Sequence, residues 1–398
     1  MPGFVNRRSE FANEFRKLYC LSKMVGIASF SIRKETKTKV ETSARMWFWP
    51  ILLFCVILFG NYYTFMRSNI TYQYTIQFFT MKIYLPMNFI TTAMVMISLN
   101  TLKRREMMKL LENLLKIDTK IPDSESRGCS IWKFLKPCVV FLVVLVHIGV
   151  LMLESWFWRN QSNLFYEIIV RFTDLFHMTV VVIFCSAVNI INMKLKNISD
   201  KFEKYRFGVN GEFMELTESS RIATVSGGRT IKMIDLRRIR REYYMLYCVT
   251  GEINRVFGFT ILLVILKYSI TFIYNMYCVY SFLNVTFDKW NQANNDPLRR
   301  SIAYFWVAHV SACLYLMMHS CESTLLLTKK LCDNVQKLLL EETPYYDDSK
   351  QLKLFESQIS YNKIEFYAVA FNLNSLFFCT LLTSVCTYTI ILIELSAG

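Results

Sequence analysis

The side chains best suited to chemistry are ionisable residues inside long apolar stretches. In the stretch 165–191, Glu167, Arg171 and Asp174 are spaced i, i+4 and i+7, and His177 continues the same helical row. Ionisable side chains are costly within a bilayer and mark pathways or ligand sites. Local pairing is the other interpretation, in which Glu167 or Asp174 neutralises Arg171 and only makes burial tolerable.

Further polar and aromatic side chains lie in neighbouring apolar stretches, which a helical bundle would bring together. We expect an extracellular-facing pocket that holds a polar or amphipathic ligand, because ligand pockets combine apolar walls with a few polar groups. The residues expected to contact this ligand are Tyr84, His147, Glu154, Arg171, Asp174, His177, Lys267, Trp306 and His309. Tyr274, Tyr277 and Tyr304 are further stacking candidates, although single aromatic residues in such stretches more often serve packing.

The sequence contains none of the common catalytic or cofactor motifs. It has no nucleotide-binding loop, no His-Glu-x-x-His zinc motif and no serine elbow, and its four histidines are scattered. The twelve cysteines include no Cys-x-x-Cys pair, and several lie in apolar stretches as small hydrophobic residues. We therefore expect no enzyme activity, no cofactor, no bound metal and no disulfide framework.

The last apolar stretch carries a stripe of hydroxyl groups that ends in a carboxylate. At about 100° per residue the stripe is roughly 100° wide. Its members are Thr380, Thr383, Ser384, Thr387, Ile391 and Glu394. Such a face suits water rather than lipid, which indicates a pore lining. A helix–helix contact is the alternative, since Ser and Thr also line tight interfaces and bond to their own backbone.

Composition and apolar length predict an all-α membrane protein with seven transmembrane helices. Of the 398 residues, 53% are hydrophobic and 15% aromatic, which is too apolar for an ordinary soluble domain. The predicted spans are 47–66, 74–99, 132–153, 165–191, 257–283, 301–327 and 370–395. The first residues lack a cleavable signal peptide, so we expect the first span to target the chain.

The distribution of basic residues predicts the orientation of these spans. With the N-terminus in the cytoplasm, 36 of the 46 Lys and Arg residues lie in inside segments and five lie in outside loops. The sequons at Asn69, Asn160 and Asn284 fall in outside loops, where they are predicted glycosylation sites, whereas Asn197 falls inside. An odd number of spans makes the C-terminus extracellular. The net charge of +15 therefore belongs to the cytoplasmic face, and we expect no binding to nucleic acid.

The inside segments have mainly helical patterns. Amphipathic or extended helices are expected at Leu102–Ile117, Ile231–Val256, Leu325–Leu340 and 351–367, and a short helix on the membrane face at Leu21–Ile32. The glycines in Gly208–Thr230 predict a flexible loop, and Pro344–Lys350 is turn-like.

Two C-terminal motifs carry a family resemblance. Thr387-Tyr388, five residues, then Glu394-Leu395 resembles the end of the seventh helix of insect gustatory receptors, which has Gln-Phe at the closing positions. Phe366–Asn374 looks like the family's entry into that helix, and Ile253–Phe259 is similar to its start of helix five.

The resemblance implies a tetramer, homomeric or with related subunits, around a central pore. The implied parts are a cytoplasmic N-terminal segment (1–46), six spans with a ligand pocket (47–327), a cytoplasmic anchor with the first half of a split helix seven (328–369) and the pore helix with an extracellular C-terminus (370–398). Four copies of Glu394 would form a carboxylate ring that attracts cations, with Ile391 as a hydrophobic gate. The alternative for Glu394 is a side chain that snorkels to the membrane surface.

The expected function is a ligand-gated, non-selective cation channel that detects a tastant, with a bitter or other aversive compound as the expected class. We expect it in the plasma membrane of gustatory neurons, in contact with lipid and permeating cations. An odorant-receptor-type subunit is the near alternative, followed by a seven-helix receptor that signals through a cytoplasmic partner. A secondary transporter is disfavoured, because we find no internal repeat and no paired broken helices.

Overall fold

Helices make up most of the described chain, as the apolar spacing predicts. The computed structural model describes residues 22–23, 26–27, 31–33, 39–41, 45–71, 76–120, 147, 149–150, 152, 164–215, 225–283, 297–340 and 346–397. The α-helices are α1 (Arg45–Thr71), α2 (Ile76–Ile97), α3 (Arg104–Lys120), α4 (Leu164–Glu215), α5 (Val225–Leu283), α6 (Pro297–Leu340), α7 (Tyr346–Tyr361) and α8 (Ser375–Ala397).

Helices α4, α5 and α6 form the centre of the bundle. They pack on one another through fully buried apolar side chains such as Val188, Ile261 and Met317. Four helices in the described part of the chain are long and apolar enough to cross a membrane, at Phe172–Glu203, Leu236–Tyr280, Ser301–Leu340 and Ser375–Glu394. These segments lie in α4, α5, α6 and α8, and each overlaps a predicted span.

Helices α1 to α3 surround this centre. Helix α2 packs on α5 and passes through a π-helix, Ser98–Leu102, into the amphipathic α3, whose apolar face also meets α5. Many large apolar side chains of α1 are exposed, among them Phe48, Trp49 and Phe59. An exposed apolar helix surface of this kind suits contact with lipid.

The segment before α1 is tied to the π-helix. Gly26 adopts a left-handed φ of 82°, which glycine reaches without strain, and its carbonyl accepts a 2.8 Å hydrogen bond from Asn100 Nδ2. The expected helix at Leu21–Ile32 is replaced in its last two residues by a strand. Strand β1 (Ser31–Arg33) pairs antiparallel with β2 (Lys39–Glu41).

Three further expectations differ from the structure. Helix α4 continues to Glu215 and α5 begins at Val225, so much of the predicted loop Gly208–Thr230 is helical. The glycines there do not end the helices, because one glycine costs only about 1 kcal/mol in a long helix. The predicted turn Pro344–Lys350 lies mostly in α7, whereas the predicted helix 351–367 ends at Tyr361.

A small hairpin separates α7 from α8. Strand β3 (Tyr367–Ala368) pairs antiparallel with β4 (Phe371–Asn372), so the last span begins at Ser375 and not at residue 370. Val369 in the turn has a φ of 61°. Ile364, Phe366 and Ala368 are buried and anchor this hairpin, here called the entry hairpin (367–372), against the bundle.

Two residues of α5, Asn254 and Gly258, contact the backbone at the start of the entry hairpin. Asn254 donates from Nδ2 to the carbonyl of Glu365 (2.9 Å) and accepts from the backbone N–H of Tyr367 (3.2 Å). One turn further on, a Cβ at Gly258 would lie 3.2 Å from the Tyr367 carbonyl oxygen. The two stretches that resemble gustatory receptors, 253–259 and 366–374, are therefore in direct contact.

Gly258→Val should displace the entry hairpin, because the side chain has no space between α5 and Tyr367. We expect a loss of about 1–3 kcal/mol, typical of overpacking, read as a lower apparent unfolding midpoint of the detergent-solubilised protein. Gly251→Val is the matched control, since nothing lies within 4 Å of a Cβ at Gly251. Equal midpoints for Gly258→Val and the unmodified protein would contradict this account of the packing.

Candidate functional site

The polar residues of the bundle meet in one buried region between α2, α4 and α5. Tyr84 of α2 stacks on Tyr274 of α5 with ring centroids 4.7 Å apart and planes 10° apart. One turn further along α2, Asn88 Nδ2 donates to Thr173 Oγ1 of α4 at 2.9 Å. An aromatic wall thus stands beside a buried amide.

His177 contributes a second polar group beside Thr173. Its Nδ1 lies 2.7 Å from the Thr173 carbonyl oxygen. Since a carbonyl can only accept, Nδ1 carries the proton, and Nε2 is the acceptor in the neutral ring. In the described part of the chain, neither His177 Nε2 nor Asn88 Oδ1 has a hydrogen-bond partner, and both atoms are buried.

Asp174 forms a buried ion pair with Lys267 of α5. Both side chains are almost fully buried, and the Lys267 ammonium also lies 5.0 Å from the ring centroid of Tyr268. The partner of Asp174 that the structure identifies is therefore on the neighbouring helix, whereas the sequence suggested Arg171 on the same helix. The mutual pairing lowers the desolvation cost of holding two charges inside the bundle.

Three further predicted ligand residues form an adjoining aromatic cluster. The rings of His147 and Trp306 meet edge to face at 5.3 Å, and His309 lies 5.5 Å from both. The Cys313 sulfur is 3.8 Å from His309 Nε2. Seven of the nine ligand residues predicted from the sequence thus lie in these two clusters.

The structure does not define two of the predicted ligand residues. It also shows two residues in the buried polar region that were not predicted from the sequence. Glu154 lies outside the described residues, as does the side chain of Arg171, whose backbone belongs to α4. Asn88 and Thr173 were not predicted. An amide beside Thr91 in an apolar span was the available signal, because polar groups in such spans rarely lack a role.

The second candidate region is the polar stripe of α8. Among the described side chains of this helix, Val385 and Thr389 are buried, and they lie on the face opposite the stripe at 100° per residue. All six predicted pore residues are exposed on the single chain: Thr380, Thr383, Ser384, Thr387, Ile391 and Glu394. The stripe therefore faces away from its own subunit.

The hydroxyl groups of the stripe bond to their own helix. Each donates to the carbonyl four residues earlier, at 2.9 Å in the case of Thr380, Thr383, Ser384 and Thr387. This is the backbone bonding that the alternative interpretation of the stripe allowed. It leaves hydroxyl lone pairs on the outer surface, where they can accept from water.

The remaining motif and sequon residues are only partly defined. Tyr388 is 62% exposed, and Leu395 lies in α8 with its side chain outside the description. Asn69 falls near the end of α1, while Asn160 and Asn284 lie outside the described residues. Glycosylation at these three sites stays a prediction.

Long apolar helices around a buried polar and aromatic site define a helical membrane protein. The fold is similar to that of the insect olfactory receptor OR5 from Machilis hrabei, with a TM-score of 0.69, 11% identity and coverage of 98% of this chain and 99% of the other. The same receptor in complex with eugenol gives a TM-score of 0.67 at 11% identity and the same coverage. No curated protein matches the sequence.

The sequence itself identifies the family. The profile of the 7tm chemosensory receptors matches residues 15–396. The chain belongs to this family and is therefore a multi-pass membrane receptor with the seven-transmembrane fold of insect chemosensory receptors, not an enzyme.

Neutralising one member of the buried pair should destabilise the receptor strongly. Lys267→Met removes this partner of the Asp174 carboxylate, and Asp174→Asn removes the carboxylate that pairs with Lys267. Each single variant should lower the free energy of unfolding by about 3–5 kcal/mol. The double variant should recover most of the loss, because it buries no charge at these positions. Apparent unfolding midpoints of the three variants test this, and a double variant no more stable than either single one would contradict it.

Proposed function

We propose that the chain is a subunit of a ligand-gated, non-selective cation channel of the gustatory receptor type. One observation carries the proposal: the polar stripe of α8 points away from the subunit that carries it. Of the 18 most hydrophobic consecutive residues of α8, only 11% are buried inside the chain, whereas 72% are buried in the corresponding stretches of α4 and α5. A membrane helix with hydroxyl groups on its free face is suited to line water at a subunit junction.

The proposed assembly is a tetramer, either homomeric or with related subunits, with α8 next to the symmetry axis. Cyclic symmetry fits, since each α8 would turn the same stripe towards the axis. The cytoplasmic extensions of α4 to α6, together with α3 and α7, form the proposed anchor. The proposed location is the plasma membrane of gustatory neurons, with the N-terminus inside and the C-terminus outside.

The proposed ligand is a small tastant that enters the region around Asn88, His177 and Trp306. Two buried acceptors, Asn88 Oδ1 and His177 Nε2, favour a ligand with hydroxyl or N–H donors. The Asp174–Lys267 pair is neutral as a unit, so it favours an uncharged compound over an ion. A bitter or other aversive compound of this chemistry is the proposed class. Opening requires that it bind the open state more tightly than the closed state.

An odorant-receptor-type channel is the second candidate. The observation that favours it is the fold similarity to OR5, which was solved in complex with eugenol. A concentration series of volatile and bitter compounds on cells that express the chain separates the two. A C-terminal epitope tests the third alternative, a seven-helix receptor that signals through a cytoplasmic partner. In such a receptor the epitope would be labelled only after permeabilisation, whereas in the proposed channel it would be labelled on intact cells.

A cysteine scan along α8 tests the channel proposal. In a background with Cys379→Ser and Cys386→Ser, a cysteine introduced at Thr383 or Thr387 should react with a charged thiol reagent and reduce the current by more than the reagent reduces it in the background alone. Cysteines at the buried positions Val385 and Thr389 are the matched controls and should react far more slowly. Equal inertness at all four positions, with current unchanged, would remove α8 from the ion pathway.

Substitutions at Glu394 test the proposed carboxylate ring. In a gradient with concentrated NaCl outside, Glu394→Gln should move the reversal potential towards zero, because the ring loses charge that attracts cations. Glu394→Lys should move it further in the same direction. Glu112→Gln on α3 is the control and should leave it unchanged. An unaltered reversal potential in both Glu394 variants would place this carboxylate outside the pore.

A further inference from the structure

Helix α8 begins with its own cap. Asn374 occupies the N-cap position, and its Oδ1 accepts from the backbone N–H of Phe377 at 2.8 Å. The Asn374 carbonyl accepts the first hydrogen bond of the helix, from the N–H of Phe378 at 3.1 Å. Asparagine is among the best N-cap residues, so this local pair is sufficient to start the helix.

A carboxylate from α6 bonds to the same helix end. Glu322 Oε2 accepts from the Ser375 backbone N–H at 3.1 Å, and Oε1 accepts from the Ser375 hydroxyl at 2.8 Å. A carboxylate at a helix N-terminus is favoured by the helix dipole, and charge-assisted bonds are the stronger kind. Because Asn374 already caps the helix, the distinct effect of Glu322 is to attach the start of α8 to α6.

Helix α6 also carries part of the proposed ligand site. Trp306 and His309 lie 13 residues or more before Glu322 on the same helix, about 20 Å at 1.5 Å per residue. Between them, the Tyr315 ring meets Phe378 of α8 edge to face at 6.2 Å. A displacement of α6 near Trp306 and His309 would therefore be transmitted to α8 through two contacts. The Tyr315–Phe378 contact is aromatic, and the Glu322–Ser375 contact is polar.

We propose that Glu322 is a positioning residue for gating, which holds the first turn of the pore helix to α6 through its two bonds to Ser375. The proposal rests on the proposed channel function. Glu322→Gln keeps the size of the side chain but replaces one acceptor oxygen with a donor. Ser375→Ala removes the hydroxyl and keeps the backbone N–H.

The test is a double-mutant cycle that needs no ligand. The rate of thiol modification is measured in intact cells at Thr387→Cys, in the Cys379→Ser, Cys386→Ser background, for Glu322→Gln, Ser375→Ala and both together. Each single variant should change the rate by about threefold or more, and the double variant should change it no further than Glu322→Gln alone, because the two residues share one interaction. The swapped pair, Glu322→Ser with Ser375→Glu, should restore a rate near that of the unmodified chain.

The matched control is Glu356→Gln on α7. Glu356 also accepts a bond across helices, from Gln336 of α6 at 2.9 Å, and this bond does not involve α8. It should leave the modification rate unchanged. Additive effects of Glu322→Gln and Ser375→Ala, or a swapped pair no closer to the unmodified chain, would overturn the proposal.

Currents in excised patches separate this inference from the channel proposal. One outcome is that the effects of Glu322→Gln and Ser375→Ala on the modification rate are non-additive while no variant carries current. This outcome would support the positioning role of Glu322 and count against the channel. Current with additive modification rates would support the channel and overturn the role of Glu322. Unitary conductance should be equal in all variants that conduct, since Ser375, the residue that Glu322 contacts, is not on the stripe at 100° per residue.

Discussion

The backbone between α7 and α8 leaves the helical state beside a buried core, so its polar groups need partners outside a helix. Side chains from the neighbouring helices supply them. Tyr243 donates to the carbonyl of Asn362, and Asn254 binds the backbone on both sides of Phe366. The Leu373 N–H returns to the Phe366 carbonyl at 3.0 Å. The entry hairpin is thus held by α5 before α8 begins.

This arrangement determines how α8 is attached to its subunit. It is fixed at its start by the entry hairpin and by Glu322, whereas along its length only one face, with Val385 and Thr389, packs inside the chain. A helix attached at one end and supported on one side can tilt as a unit when its supports move. The Tyr367 hydroxyl donates to Glu365 at 2.5 Å, and this hydrogen bond is the main reason that the pKa of Tyr367 is raised to about 12.

The sequence predicts most helices here because apolar spacing and length are local properties. It predicts the start of the last helix too early: Asn374 before an apolar run is a local N-cap signal for that start, whereas nothing local signals that Phe371 and Asn372 pair with Ala368 and Tyr367. It also does not predict that Lys267 pairs with Asp174. Helical spacing shows only neighbours on one helix, whereas Lys267 lies 93 residues away and reaches Asp174 only after α4 and α5 pack. Similarly, the role of Asn88 could not be predicted, because it depends on the hydrogen bond to Thr173 of α4.

The charged groups of the spans separate into two physical situations. Asp174 and Lys267 are buried against each other, where each lowers the cost of the other and their combined field outside is small. Glu394 is exposed, on the stripe of α8, where its field extends into whatever medium the stripe meets. A buried pair can hold helices in register but cannot act on a passing ion. An exposed charge such as that of Glu394 can do so, and under the proposed channel function the exposed face of the last helix is where we expect ion selectivity to arise.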